Sequence, residues 1–148
     1  MIINDICDWN AERGNIQYNV SLEFSMLTEE VEELILAKQK NMLAYADVKG
    51  LDPYAEETFT NMPDEDREDL ILDIRVDEAD ALADIVFVAI GGLYKLTGCR
   101  EDKVEDILKA VIEANNNKGK DTKDGKIVKP KGFVGPEEKI RDLIEGEI

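Results

Sequence analysis

The chain contains no histidine. That excludes His-liganded zinc and di-iron centres, and every triad or acid–base pair built on imidazole. Only two cysteines are present, Cys7 and Cys99, far apart and without zinc-like spacing, so free thiols in a reducing compartment are expected. Basic residues are scarce: 18 Lys and Arg stand against 34 Asp and Glu, a formal net charge of −16. Such a charge argues against a general nucleic-acid-binding surface and against docking on anionic lipid. It suits cations or a basic partner. Long apolar runs are missing as well. The longest, Ala81 to Tyr94, is too short to span a membrane and contains Asp84. The N-terminus has no basic-then-apolar leader, and a soluble cytoplasmic protein is expected.

What is present is a globular composition, 43% hydrophobic and 35% charged over 148 residues. That predicts one domain over residues 1–148. The periodicity predicts an all-α fold, a helical bundle of about four to five main helices with a basic, loop-rich C-terminal tail. Ile2 to Arg13 reads as a short helix with Ile3, Ile6 and Trp9 on its apolar face, stopped by Gly14. Trp9, Asn10 and Arg13 either reach a ligand or form the core and rim of a docking helix, the second being the commoner case. Asn15 to Asn19 reads as loop. A long helix follows from Ser21 towards Val48, ending by Gly50. Turn signals at Asp52-Pro53 and Met62-Pro63-Asp64 mark the segment from Gly50 to Asp66, where no function is read. Asp66 to Arg75 is either a separate helix or the first turns of the next, and continuity would add Asp73 to that helix's acidic face. Asp77 to Leu96 is the main helix, closed by Thr97-Gly98. Arg100 to Asn116 is a further amphipathic helix with Val104, Ile107, Leu108, Val111 and Ile112 at core spacing. A short terminal helix is expected from Pro136 to Leu143.

Two of these helices carry the chemistry. At ~100° per residue, Glu29, Glu30 and Glu33 share an arc of about 100°, with Leu27, Val31 and Leu34 opposite. Asp77, Asp80 and Asp84 share an arc of roughly 60°, with Leu82, Ile85, Val86, Ala89 and Leu93 on the other side. Taken alone, a Glu-rich stretch is most often a solvated face. Asp84 sharpens the reading, because it is the only charged residue in the most apolar segment of the chain. A helix that apolar is expected to be covered, and a buried carboxylate needs a cation beside it. Asp80 and Asp77 would repel it. Hard divalent cations carrying a phosphorylated ligand would satisfy all of them. Gly91, further along the same face, leaves room for a ligand or marks close helix packing.

The second feature is a run of six lysines from Lys118 to Lys131, with a turn at Asp124-Gly125. It is either a solvated, charge-compensating tail or a segment that takes up phosphate charge. Asn115 and Lys118, three apart at a helix end, are the best-placed pair for the latter.

These residues resemble the all-α nucleotide pyrophosphohydrolase superfamily, the MazG-like and phosphoribosyl-ATP pyrophosphohydrolase-like group, whose members carry E-E-x-x-E on one helix and E-x-x-D on a later one. Leu27-Thr28-Glu29-Glu30-Val31-Glu32-Glu33 is similar to the first motif. Asp84, followed by Ile85-Val86-Phe87, is similar to the Asp of the second. The position three before it is Ala81 rather than Glu, and Asp80 is the candidate replacement. Asn115-Asn116-Asn117-Lys118 and Asp124-Gly125-Lys126-Ile127-Val128-Lys129-Pro130 resemble the phosphate-contacting tail of a phage and bacterial subgroup. The resemblance covers roughly Leu27 to Pro136, apart from the segment from Gly50 to Asp66. It implies metal ligation by Glu29, Glu30, Glu33, Asp80 and Asp84, with Glu29 also positioning or deprotonating water. It implies substrate contacts from Asn115, Lys118, Lys126 and Lys129. The implied cofactor is Mg²⁺, with Mn²⁺ as alternative. The implied reaction cleaves a nucleoside triphosphate between its α and β phosphates, in a homodimer or homotetramer. Rival readings are a phosphoribosyl-ATP pyrophosphohydrolase proper, a catalytically inactive relative, and a non-enzymatic acidic module that mimics nucleic acid.

Overall fold

The computed structural model describes residues 2–44 and 61–145, and side chains outside 40–44. It is all-α, with five helices among the described residues. These are α1 (Ile2–Glu12), α2 (Val20–Ala44), α3 (Asp64–Leu96), α4 (Glu101–Asn116) and α5 (Glu137–Glu145). A two-stranded hairpin, β1 (Thr122–Lys123) and β2 (Lys126–Ile127), lies between α4 and α5. The sequence reading of residues 45–60, including the end of the second helix and the turn at Asp52-Pro53, falls outside the described residues. No single helix among them is long and apolar enough to cross a membrane. The chain gathers into two compact units, Asn19–Ala89 and Met1–Tyr18 with Ile90–Ile148.

In the unit Asn19–Ala89, Asn19 caps α2: its Oδ1 accepts the Leu22 amide at 3.1 Å and its carbonyl the Glu23 amide at 2.9 Å. Pro63 starts α3 by accepting the Arg67 amide at 3.0 Å. The helix then runs unbroken for 33 residues. Asp66–Arg75 is therefore its beginning, and Asp73 lies one turn before Asp77 on the same face.

The packing seam differs from the face expected of the sequence. On α2 the least exposed positions are Glu23, Met26, Thr28, Glu30, Leu34 and Ala37. On α3 they include Ile74, Glu78, Ala81 and Ile85. Leu27 and Val31 on α2, and Leu82, Val86 and Ala89 on α3, are exposed instead of buried. Ala37 and Ala81 are only 3% exposed, and small residues let helix backbones approach closely. The less exposed stripe of each helix is thus built from small and polar residues as well as apolar ones, and the largest apolar side chains lie outside it.

In the second unit, Gly14 (φ 67°) ends α1 in a Schellman motif: its amide reaches the Ala11 carbonyl at 3.0 Å and the Asn15 amide reaches Asn10 at 2.9 Å. The same motif ends α3 at Gly98, with the Cys99 amide on the Tyr94 carbonyl at 2.9 Å. The buried face of α1 is Ile6, Cys7 and Asn10, while Trp9 sits at the rim under the Arg13 guanidinium, 4.2 Å from the ring centre. Gly91 is a close-packing glycine: a Cβ there would lie 3.1 Å from the Asn10 amide nitrogen. Asn10 is 2% exposed and donates to the Ile6 carbonyl at 2.8 Å. Both cysteines are free thiols, and burial raises the Cys7 thiol to about 11. α4 packs against α1 and α5 through Val104, Ile107, Ala110 and Ala114, whereas Ile112, expected in the core, is exposed. Pro136 precedes α5, its carbonyl accepting the Ile140 amide at 3.0 Å.

Candidate functional site

Within the unit Asn19–Ala89, α2 and α3 run antiparallel, so later positions on one meet earlier positions on the other. Glu30 feels Asp84 and Asp80. One turn along, Glu33 shares a cavity of about 190 Å³ with Asp77, Asp80, Leu36 and Ala37. The five expected metal ligands are thus brought onto one stretch of two facing helices.

Their electrostatics are concentrated on Glu30, the one half-buried member of the set. Burial and then the negative charges of Asp84, Glu33, Glu29 and Asp80 hold its carboxyl above the usual range. Every expected ligand therefore acts on the same proton. Asp84 itself is exposed, which corrects the expectation of a covered carboxylate. The reason is geometric: one neighbouring helix covers a single stripe of α3, and Asp84 flanks that stripe. Burial falls on Glu30 instead. Glu29, Glu33 and Asp80 are also exposed.

Among the described residues no three Asp, Glu or Cys side chains converge to chelating distance. Like charges on flexible side chains repel, and each turns toward water. Ala81, where the resembled motif has Glu, is buried in the seam, whereas Asp80 lines the cavity. Asp80 is therefore the acid that the backbone presents there. Asp77, on the same arc, also lines the cavity one turn earlier and forms an acid-x-x-acid pair with Asp80.

The tail belongs to the other unit. Lys118 follows the end of α4, its amide reaching the Asn115 carbonyl at 3.1 Å. Asn115, Lys126 and Lys129 are exposed and Lys118 is half-buried. Asp124 (φ 51°) and Gly125 (φ 75°) form the tight turn between β1 and β2, as the Asp-Gly pair suggested. Lys126 stands across from Lys123. Lys118 and Lys129 instead meet at the ring of Phe133, 5.8 and 5.2 Å from its centre. Phe133 carries no sequence signal, because a single aromatic in a polar tail has no periodicity to mark it.

Comparison with protein-family models, with curated proteins and with solved structures returned no match.

Proposed function

We propose that the chain is a Mg²⁺-dependent nucleoside triphosphate pyrophosphohydrolase that releases the monophosphate and pyrophosphate. The observation that carries this reading is Glu30, whose carboxyl is held above the usual range by burial and then by four other carboxylates from two helices. Such an arrangement is repulsive until cations enter it. The donor set fits a hard divalent ion, being all oxygen, with Glu29, Glu30, Glu33, Asp80 and Asp84 as holders and Asp77 beside them. When bound, the ion would supply neutralisation of phosphate charge and a more acidic water. Glu29, exposed at the edge of the set, would orient that water or take its proton. For Asn115, Lys118, Lys126 and Lys129, which belong to the other unit, the resemblance implies contacts to substrate phosphate.

The apolar stripes support a homodimer or homotetramer. Val20, Phe24, Leu27, Val31 and Ile35 on α2, and Leu72, Val76, Leu82 and Val86 on α3, are all exposed. Their spacing follows a continuous helical stripe, the pattern of a surface covered by another helix pair. A second copy would also enlarge a site whose 190 Å³ cavity is below the usual 300 Å³ or so of a small-molecule pocket.

The exposure of Asp84, Asp80, Glu29 and Glu33 favours a second reading, a solvated acidic module that binds a basic partner. One assay separates the two. Pyrophosphate release is measured from a panel of ribo- and deoxyribonucleoside triphosphates, and from phosphoribosyl-ATP, with Mg²⁺. The enzymatic reading expects turnover that falls at least about a hundredfold in Glu33→Gln and Asp84→Asn. Undiminished turnover in both variants would refute the site, and no turnover on any substrate would favour the acidic module.

A further inference from the structure

The tail contains a device that its lysine content alone does not reveal. The chain leaves α4 at Lys118, passes through β1, reverses at Asp124-Gly125 and returns through β2. The Val128 amide, on the Asp121 carbonyl at 2.8 Å, closes the hairpin just before Lys129. That closure brings Lys129 back toward Lys118. A second reversal follows at once: the Phe133 amide donates to the Pro130 carbonyl at 3.1 Å, with Gly132 at φ 81° in the third position. This is a type II turn, which requires a residue free to take positive φ there. It brings the half-buried Phe133 ring to both lysines.

Both ammonium groups lie within the ~6 Å at which a ring face attracts a cation. They consequently lie within about 11 Å of each other, close enough for one polyphosphate chain to reach both. Among the described residues neither lysine forms an ion pair, in a chain with 34 carboxylates and only 18 basic groups. A ring holds an ammonium through its quadrupole and consumes none of its three N–H donors. A carboxylate would have used them and cancelled the charge. The result is two positioned cations with free donors.

We propose that Phe133 is a positioning residue that gathers Lys118 and Lys129 into a subsite for a polyphosphate chain. The assignment deepens the pyrophosphohydrolase reading and rests on it for the identity of the ligand, the triphosphate of a nucleotide. The geometry of the subsite does not depend on that reading.

Calorimetry of the full chain with inorganic tripolyphosphate tests this, comparing wild type with Phe133→Leu and Phe133→Tyr. Leucine keeps the apolar bulk and loses the ring, whereas tyrosine keeps the ring. The expected result is binding by wild type, about fivefold weaker binding by F133L, and F133Y within roughly twofold of wild type. No binding by wild type overturns the proposal, as does F133L binding like wild type or F133Y failing as F133L does. The same variants are then assayed with a triphosphate substrate, where F133L is expected to raise KM about fivefold with kcat unchanged. Tripolyphosphate binding with the expected pattern but no turnover would leave the subsite standing as a site for free polyphosphate and remove the enzymatic reading. Turnover with an identical KM in F133L would overturn the subsite and spare the enzyme.

Discussion

Glu30 occupies a position where burial and charge act in the same direction. Its neighbours Asp84, Glu33, Glu29 and Asp80 raise its carboxyl in the folded chain, and unfolding releases it to the ordinary glutamate range. The folded state therefore binds this proton more tightly than the unfolded state. Its ionisation costs nothing below the ordinary range, and stability falls as pH rises from there through the raised folded value. Glu30→Gln removes that loss. The variant is expected to melt on the order of 1–2 °C above wild type at pH 7.5 without divalent ions, the gain vanishing toward pH 4. Added Mg²⁺ should reverse the order at pH 7.5 by stabilising wild type more. Differential scanning calorimetry across that pH range reads both effects, and a variant melting below wild type without metal would contradict the electrostatic account.

At the scale of elements, the hairpin shows how a few residues set a local shape on which distant contacts depend. Gly125 sits at φ 75°, where a β-branched side chain is strained. Gly125→Val is expected to open the hairpin, separate Lys118 from Lys129 and weaken tripolyphosphate binding about as much as losing the Phe133 ring. The melting temperature should stay within about 1 °C, since the strands are exposed and carry no core. Calorimetry with tripolyphosphate reads the binding, and wild-type affinity in this variant would contradict the dependence. The same elements show what local sequence makes legible. Gly14, Gly98 and Asp124-Gly125 announced their turns, because positive φ selects those residues. The all-α character followed from the 3.6-residue period. Which face of α2 packs inward did not follow, because a seam between two helices can be chosen by small residues such as Ala37 and Ala81 rather than by the largest apolar ones. Hence the helical period places the acidic arcs, whereas burial falls on Glu30 and not on Asp84, where the surrounding apolar run points to it. The role of Phe133 is not legible in the sequence, because it arises from two reversals of the chain.

For the whole molecule, the exposed stripes on α2 and α3 set the expectation. Phe24, 72% exposed, together with Val31, Leu82 and Val86 offers water a surface that soluble proteins usually cover. Sedimentation of the full chain is expected to give a dimer or tetramer, and Phe24→Glu to shift it toward a smaller species by placing a charge in the covered stripe. A monomer at micromolar concentration in the wild type would contradict that expectation.

The claim on which the rest depends is that carboxylates from α2 and α3 together hold divalent cations. Electron paramagnetic resonance of Mn²⁺ titrated into the protein measures it directly, without substrate or turnover. The account predicts saturable binding displaced by Mg²⁺, weakened about tenfold or more by Glu33→Gln on one helix and equally by Asp84→Asn on the other. Binding that survives both substitutions unchanged, or none beyond the weak background of an acidic surface, would contradict it.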